Sequence, residues 1–249
     1  MFVKASDSDE PGIGTWWGGK GVFVDFTNAA TREHWKTYLK ENVLDYGTSS
    51  VWNDNCEYDS MIDKDCRCSF EGKGGTIGQL KSVMSNIMCQ TAVEAVHETY
   101  DNVRPYIVCR SGHCGIQRYA QTWAGDNLTC WDSLKYNIAT ILGMSLSGVA
   151  NQGCDIGGFF GPAPEAELLV RWIQNGIFQP RFFHPLNQHR QHSNRALDVF
   201  RLYRLYSGSD PVPLPPFPLS LFPHGEGARD RTSDHGTSLQ RISERSFLL

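Results

Sequence analysis

Two aspartates carry the chemistry this chain could perform. Asp54 lies in Val51-Trp-Asn-Asp-Asn-Cys-Glu57 and Asp126 in Trp123-Ala-Gly-Asp-Asn127, each at the C-terminal end of a predicted strand. Such a pair can cleave a glycosidic bond with retention: one ionised carboxylate attacks the anomeric carbon, and one protonated carboxyl releases the leaving oxygen, with the groups about 5–5.5 Å apart. Each Asp follows a Trp and sits among Asn and Gly rather than Lys and Glu. Aromatic walls and amide donors suit a sugar pocket. The competing reading is structural, because Asn and Asp also favour turns and helix starts and Asp54 could simply cap one.

The elements that must position these residues follow from short-range patterns. Ser50-Val-Trp52, Pro105-Tyr-Ile-Val-Cys109 and Met144-Ser-Leu-Ser-Gly-Val149 are short apolar runs that each end in a polar or Gly-rich stretch, and they predict buried parallel strands. Between them the period changes. Ile77, Leu80, Met84, Ile87 and Met88 recur at helical spacing after Thr76, a candidate N-cap. Leu168, Leu169, Trp172 and Ile173 do so after Pro164, with Asn175-Gly176 as the stop. Strand, loop and helix in repetition imply an α/β fold with a parallel sheet. Polar residues gathered at strand C-termini are where a (β/α)8 TIM barrel keeps its active site.

Several longer segments, in order, carry a resemblance: Gly21-Val-Phe-Val-Asp-Phe-Thr-Asn28, the Asp54 segment, Cys109-Arg-Ser111, Arg118-Tyr-Ala-Gln-Thr-Trp-Ala-Gly-Asp-Asn127, Gly153-Cys-Asp-Ile-Gly-Gly-Phe159 and Glu167-Leu-Leu-Val-Arg-Trp172. Through them the chain resembles the catalytic barrel of glycoside hydrolase family 31, the retaining α-glucosidase and α-xylosidase group, from its first residues to about Phe182. The resemblance implies that Asp54 is the nucleophile and Asp126 the general acid/base. It further implies that Arg110 and Asp155 hydrogen-bond sugar hydroxyls, and that Trp52 and Trp123 line the −1 pocket. Arg110 could help keep Asp54 ionised, and burial against Trp123 would favour a protonated Asp126. Arg110 also reads as a salt-bridge partner of a strand-end carboxylate, and Glu57 as either an orienting group for the Asp54 loop or a solvated side chain. The implied partner is a carbohydrate substrate, and the implied chemistry needs no metal or organic cofactor. The match covers roughly strands 3 to 8 of a (β/α)8 barrel, with the β-domains that flank the family's barrel not represented. Asn55-Cys56 departs from the family's usual nucleophile motif.

Composition changes after Phe182. Every Trp and every Lys precedes it, whereas Pro211-Val-Pro-Leu-Pro-Pro-Phe-Pro218 cannot continue a barrel, because Pro removes sheet donors and breaks helices. Residues 1–182 therefore read as a partial catalytic barrel and 183–249 as a disordered or frameshifted tail. Deleting one base at the codons for Phe182-Phe183 lets the following bases be read, with freely chosen codons, as text resembling the family's eighth strand and the helix after it. His184 is then not a site residue.

The bulk properties narrow the partners. The net charge of −4 leaves no basic patch that argues for nucleic acid or an anionic membrane. No apolar run has membrane-spanning length, and no leader-like apolar segment opens the chain, so a cytoplasmic protein is expected. Oligomeric state is not encoded in any pattern found. Cys89, Cys109 and Cys154 fall in apolar elements as reduced buried thiols, Cys66-Arg-Cys68 is expected on a solvated loop, and Gly72-Lys-Gly-Gly75 reads as a flexible loop without phosphate-binding character. A different barrel enzyme, inverting or eliminating, and a non-catalytic remnant are the remaining functional readings.

Overall fold

The computed structural model describes residues 1–16, 18–58 and 62–182, which lie in the first of the chain's two units, Met1–Leu202. The expectation of a disordered or frameshifted tail at 183–249 falls outside the described residues.

The chain opens with an antiparallel hairpin, β1 (Ile13–Trp16) and β2 (Gly19–Val22). The first residues run beside the segment after it, with Val3 N donating to Phe23 O (2.9 Å) and Asp25 N to Met1 O (3.0 Å). Asp25 is buried, and its carboxylate accepts from Thr27 N (3.0 Å) and Ser69 N (2.7 Å), which ties this segment to a distant loop. Helix α1 (Ala29–Asn42) then starts at Asn28, whose side-chain oxygen accepts from Thr31 N. An N-cap of this type satisfies one of the amides that the first helical turn leaves without a partner.

The central sheet follows. Strand β3 (Ser50–Asn53) leads through a two-stranded ribbon, β4 (Arg67–Cys68) and β5 (Gly75–Thr76), into α2 (Ile77–Thr99), and back to β6 (Tyr106–Cys109). Thr76 and Gln79 form a capping box at the start of α2, and Ile77, Leu80 and Met84 are buried along it as the spacing predicts. β3 pairs parallel with β6, Asn53 opposite Cys109, and β6 pairs parallel with β7 (Gln121–Thr122), Cys109 opposite Thr122. Residues 151–153 extend the sheet in the same direction, because Thr122 N donates to Asn151 O (3.1 Å) and Ala124 N to Gly153 O (2.8 Å). A Cβ on Gly153 would stand 2.3 Å from the carbonyl oxygen of Arg181, so the next passage of the chain packs directly on this backbone. The result is an arc of parallel strands with helices between them, the α/β organisation of part of a (β/α)8 barrel. The β6–β7 link departs from strict alternation and contains a single 3-10 turn, Ile116–Arg118, in place of an α-helix.

Two expectations are corrected. Met144–Val149 is not a strand. It is the end of α3 (Trp131–Leu146), which buries Leu134 and Ile141 on one face and stops at Gly148, where φ is +86°. Val149 N donates to Met144 O (2.9 Å) and Gly148 N to Ser145 O (3.0 Å), the paired bonds of a Schellman motif. The strand position belongs to residues 151–153, just beyond it. Cys66 and Cys68 do not lie on a solvated loop either. Both are buried with Val3, Ile62 and Ile77, because β4 is held between β5 and the N-terminal residues, and burial pushes the Cys68 thiol up to about 12. Helix α4 (Ala166–Gly176) runs as its spacing predicts and packs Leu168 and Trp172 against Ile141, Cys154 and Ile156.

Candidate functional site

Four strand ends deliver the polar residues to one end of the sheet. Asp54 follows β3, Arg110 follows β6, Asp126 follows β7 through the turn at 123–127, and Asp155 follows residues 151–153. Arg110 N donates to Asn53 O (3.1 Å), so the first two ends are fixed to each other at the site. Asn55 holds a left-handed φ of +50°, a conformation Asn tolerates better than most residues, and Asp54 Oδ1 accepts from Asn55 N (2.9 Å). The turn-forming role and the site placement of Asp54 thus coexist. Around Asp126, Gly125 takes φ +77° and Asn127 Nδ2 donates to Gly125 O (2.7 Å), which shapes the loop.

Arg110 is the hub. Its Nε and Nη2 bind the two oxygens of Glu57 at 2.5 and 3.0 Å, and Nη2 also reaches Asn55 Oδ1 (2.7 Å). Its Nη1 faces Asp54 Oδ1 at 3.2 Å and Asp126 Oδ2 at 3.8 Å. Convergence on one nitrogen keeps those two oxygens within about 7 Å of each other, a range that includes the about 5–5.5 Å of a retaining pair and only the low end of the inverting range. Glu57 therefore grips Arg110 and is not a solvated side chain, and this ion pair raises the guanidinium's pKa above its ordinary value. Burial lifts the Asp126 carboxyl above the usual carboxylate range, and the nearby Asp54 and Glu57 charges add to the rise while Arg110 opposes it.

The aromatic residues form a second cluster. Trp52 and Trp123 meet with ring centroids 4.8 Å apart and planes inclined at 59°. Trp52 is half-exposed and Trp123 is buried. Arg181, which sequence reasoning did not single out, is buried beside them, with its Nη1 3.2 Å from Asp155 Oδ1. The structure thus groups Asp54, Asp126 and Arg110 around one guanidinium, and Trp52, Trp123 and Asp155 around another. The only sequence signal for Arg181 was a lone cation between Phe178 and Phe182, since Arg is rarely fully buried unless paired.

Behind Asp54, Cys56 and Cys109 bring their sulfurs to 3.2 Å. That contact and burial hold the Cys56 thiol far above its ordinary range, so it offers no nucleophile at neutral pH. Among the described residues, no group of three or more metal-binding side chains gathers at the site or elsewhere. A polar cavity lined by His97, Tyr106, Arg118 and Gln121 lies at the opposite, N-terminal end of the strands, away from the carboxylates.

A family model described as the glycosyl hydrolases family 31 TIM-barrel domain matches residues 1–201. Alpha-glucosidase 2 of Bacillus thermoamyloliquefaciens is 34% identical over 175 residues, covering 68% of this chain and 22% of that protein. Neutral alpha-glucosidase C of Mus musculus is 33% identical over 190 residues, covering 73% of this chain and 21% of its own length. The crystal structure of a Tris-bound glucosidase II alpha subunit superposes with a TM-score of 0.66 at 26% identity, over 83% of this chain and 24% of that one. A Flavobacterium johnsoniae dextranase complexed with glucose, at 21% identity and a TM-score of 0.65 over 81% of this chain and 27% of that one, shares the fold. The chain spans about a fifth of the length of the curated relatives it matches.

Proposed function

The chain belongs to glycoside hydrolase family 31, and from that premise we propose that the barrel it contributes to is a retaining, exo-acting α-glycosidase of α-glucosidase type, releasing terminal α-linked sugars from oligosaccharides or glycoconjugates. One observation carries the reading: Asp54 and Asp126 face the same Arg110 nitrogen from the ends of the two strands that flank β6. In this reading Asp54 attacks the anomeric carbon and Asp126 protonates the departing oxygen. Asp126 then takes a proton from the water that opens the glycosyl-enzyme. Their environments support the division of labour, since Asp54 pairs at 3.2 Å with a guanidinium and Asp126 is lifted by burial toward the protonated state. Glu57, by holding Arg110 through two oxygens, keeps that charge between the two aspartates.

The charge balance supports a neutral sugar. Among the described residues, Asp54, Glu57 and Asp126 gather around Arg110 and Asp155 pairs with Arg181, so a carboxylated or sulfated ring would meet an excess of negative charge. Trp52 and Trp123 supply the apolar wall of the −1 pocket, and Asp155 supplies a hydroxyl acceptor. Nitrophenyl α- and β-glycosides of neutral hexoses and xylose, offered to this chain and to a longer, frame-restored version, test the assignment. Hydrolysis of the α-linked set is expected, and preference for β-linked substrates would refute it.

A second reading, an inactive or carbohydrate-binding product, is favoured by the open parallel sheet of the described residues. Exposed strand edges leave backbone groups unpaired. For location, no described helix is long and apolar enough to cross a membrane. The free thiols of the described residues support a cytoplasmic setting, while one similar structure is an ER glucosidase II heterodimeric complex of a catalytic subunit and the binding domain of a regulatory subunit.

A further inference from the structure

Arg181 touches residues from three separate strand ends. It is 5% exposed, follows α4, and holds Asp155, itself 3% exposed, through Nη1–Oδ1 at 3.2 Å. Its guanidinium carbon lies 5.7 Å from the Trp52 ring centroid and 5.5 Å from that of Trp123. The segment that carries it is laced to the strand bearing Asp155. Gln179 Oε1 accepts from Cys154 N (3.0 Å), and Gly153 has no room for a side chain beneath the Arg181 carbonyl. A planar cation can lie on aromatic faces and pair with a carboxylate at the same time, whereas an ammonium is a compact point charge on a flexible stem.

We propose that Arg181 is the positioning residue of the −1 pocket, setting the angle between the Trp52 and Trp123 rings and holding Asp155 against them. It acts through these three side chains and not on the reacting atoms. The assignment rests on the α-glycosidase reading for the identity of the pocket, though not for the arrangement of its walls. Because shape is required as well as charge, lysine does not replace arginine here.

The test uses the 249-residue chain and two readouts. Near-UV circular dichroism reports the coupled Trp52–Trp123 pair, with Trp52→Phe marking the spectrum without it, and calorimetric titration with 1-deoxynojirimycin reports the pocket. Arg181→Lys and Arg181→Met are both expected to lose most of the pair's signal and to bind the probe about tenfold or more weakly. A wild-type pair signal in Arg181→Lys overturns the proposal, as does the lack of any difference between the wild type and Trp52→Phe. If Arg181→Met loses its far-UV spectrum, the same-charge Arg181→Lys variant decides alone. If no protein binds the probe, wild type included, the α-glycosidase reading fails while the spectra still decide the role of Arg181.

Discussion

At the scale of single residues, the site separates two aspartates of equal chemistry by their surroundings. Asp54 lies closer to the Arg110 guanidinium than Asp126 does, at 3.2 against 3.8 Å. Asp54→Ala should lower turnover by about a thousandfold or more even on activated aryl α-glycosides, because no other group replaces the attacking carboxylate. Asp126→Ala should keep much of the first step when the leaving group needs little protonation. Steady-state kinetics on a series of aryl leaving groups checks both, and wild-type-like turnover in Asp54→Ala would falsify the nucleophile assignment. The pH dependence follows from the same geometry. Arg110 lowers the Asp126 pKa against the larger effect of burial, so removing the guanidinium must raise it further. In Arg110→Met the alkaline limb of kcat/KM, where the general acid loses its proton, should move to higher pH. Carbon-13 NMR titration of the Asp126 carboxyl measures the same shift without turnover, and movement toward lower pH would show that Glu57 and Asp54 reorganise around the lost charge.

At the scale of elements, one glycine inside helix α3 and one just beyond its end should respond to replacement in opposite ways. Gly143 lies inside the helix, with open space where a Cβ would stand. Gly143→Ala should therefore stabilise the chain by about 0.5–1 kcal/mol. Gly148 holds the left-handed turn after the helix, so Gly148→Ala should cost about 1 kcal/mol or more. Urea melts of the two variants would show shifts of opposite sign, and equal shifts would mean that α3 does not end in the Schellman turn. The same helix shows where the sequence stopped being legible. α2 and α4 could be read because their apolar residues repeat over several turns, α2 behind its Thr76 cap and α4 behind Pro164. Met144–Val149 is too short a run to separate a helix end from a strand, and only the tertiary bonds of residues 151–153 to β7 show which segment enters the sheet. The convergence of Asp54, Arg110 and Asp126 was legible because each ends its own strand and parallel strands bring such ends together. Arg181 was not, because its partners lie on strands distant in sequence and a lone cation between two aromatics is a weak local mark.

At the scale of the molecule, the described residues build an arc rather than a ring. β3 and residues 151–153 form the two ends of the parallel order, and a barrel would cover both with further strands. The apolar side chains Ile138, Leu142 and Leu146 are exposed along α3, a stripe of the kind that invites association when it is left uncovered. The reading-frame expectation for residues 183–249 remains a proposal about the gene. Sequencing the source DNA around the codons for Phe182 and Phe183 should reveal an alternative frame free of stop codons that encodes family-like text, and a frame interrupted by stops would rule it out. The physical counterpart is a denaturation experiment on residues 1–249. With two sheet ends unpaired among the described residues and an exposed apolar helix face, the chain alone should unfold over a broad denaturant range, with a smaller m-value than a closed barrel domain of its length, and should self-associate as its concentration rises. Far-UV circular dichroism in urea, together with sedimentation at several concentrations, measures both. A steep single transition in a monomer that also hydrolyses an aryl α-glucoside would show instead that the arc is sufficient, with Asp54, Asp126 and Arg110 held in working geometry by the strands already present.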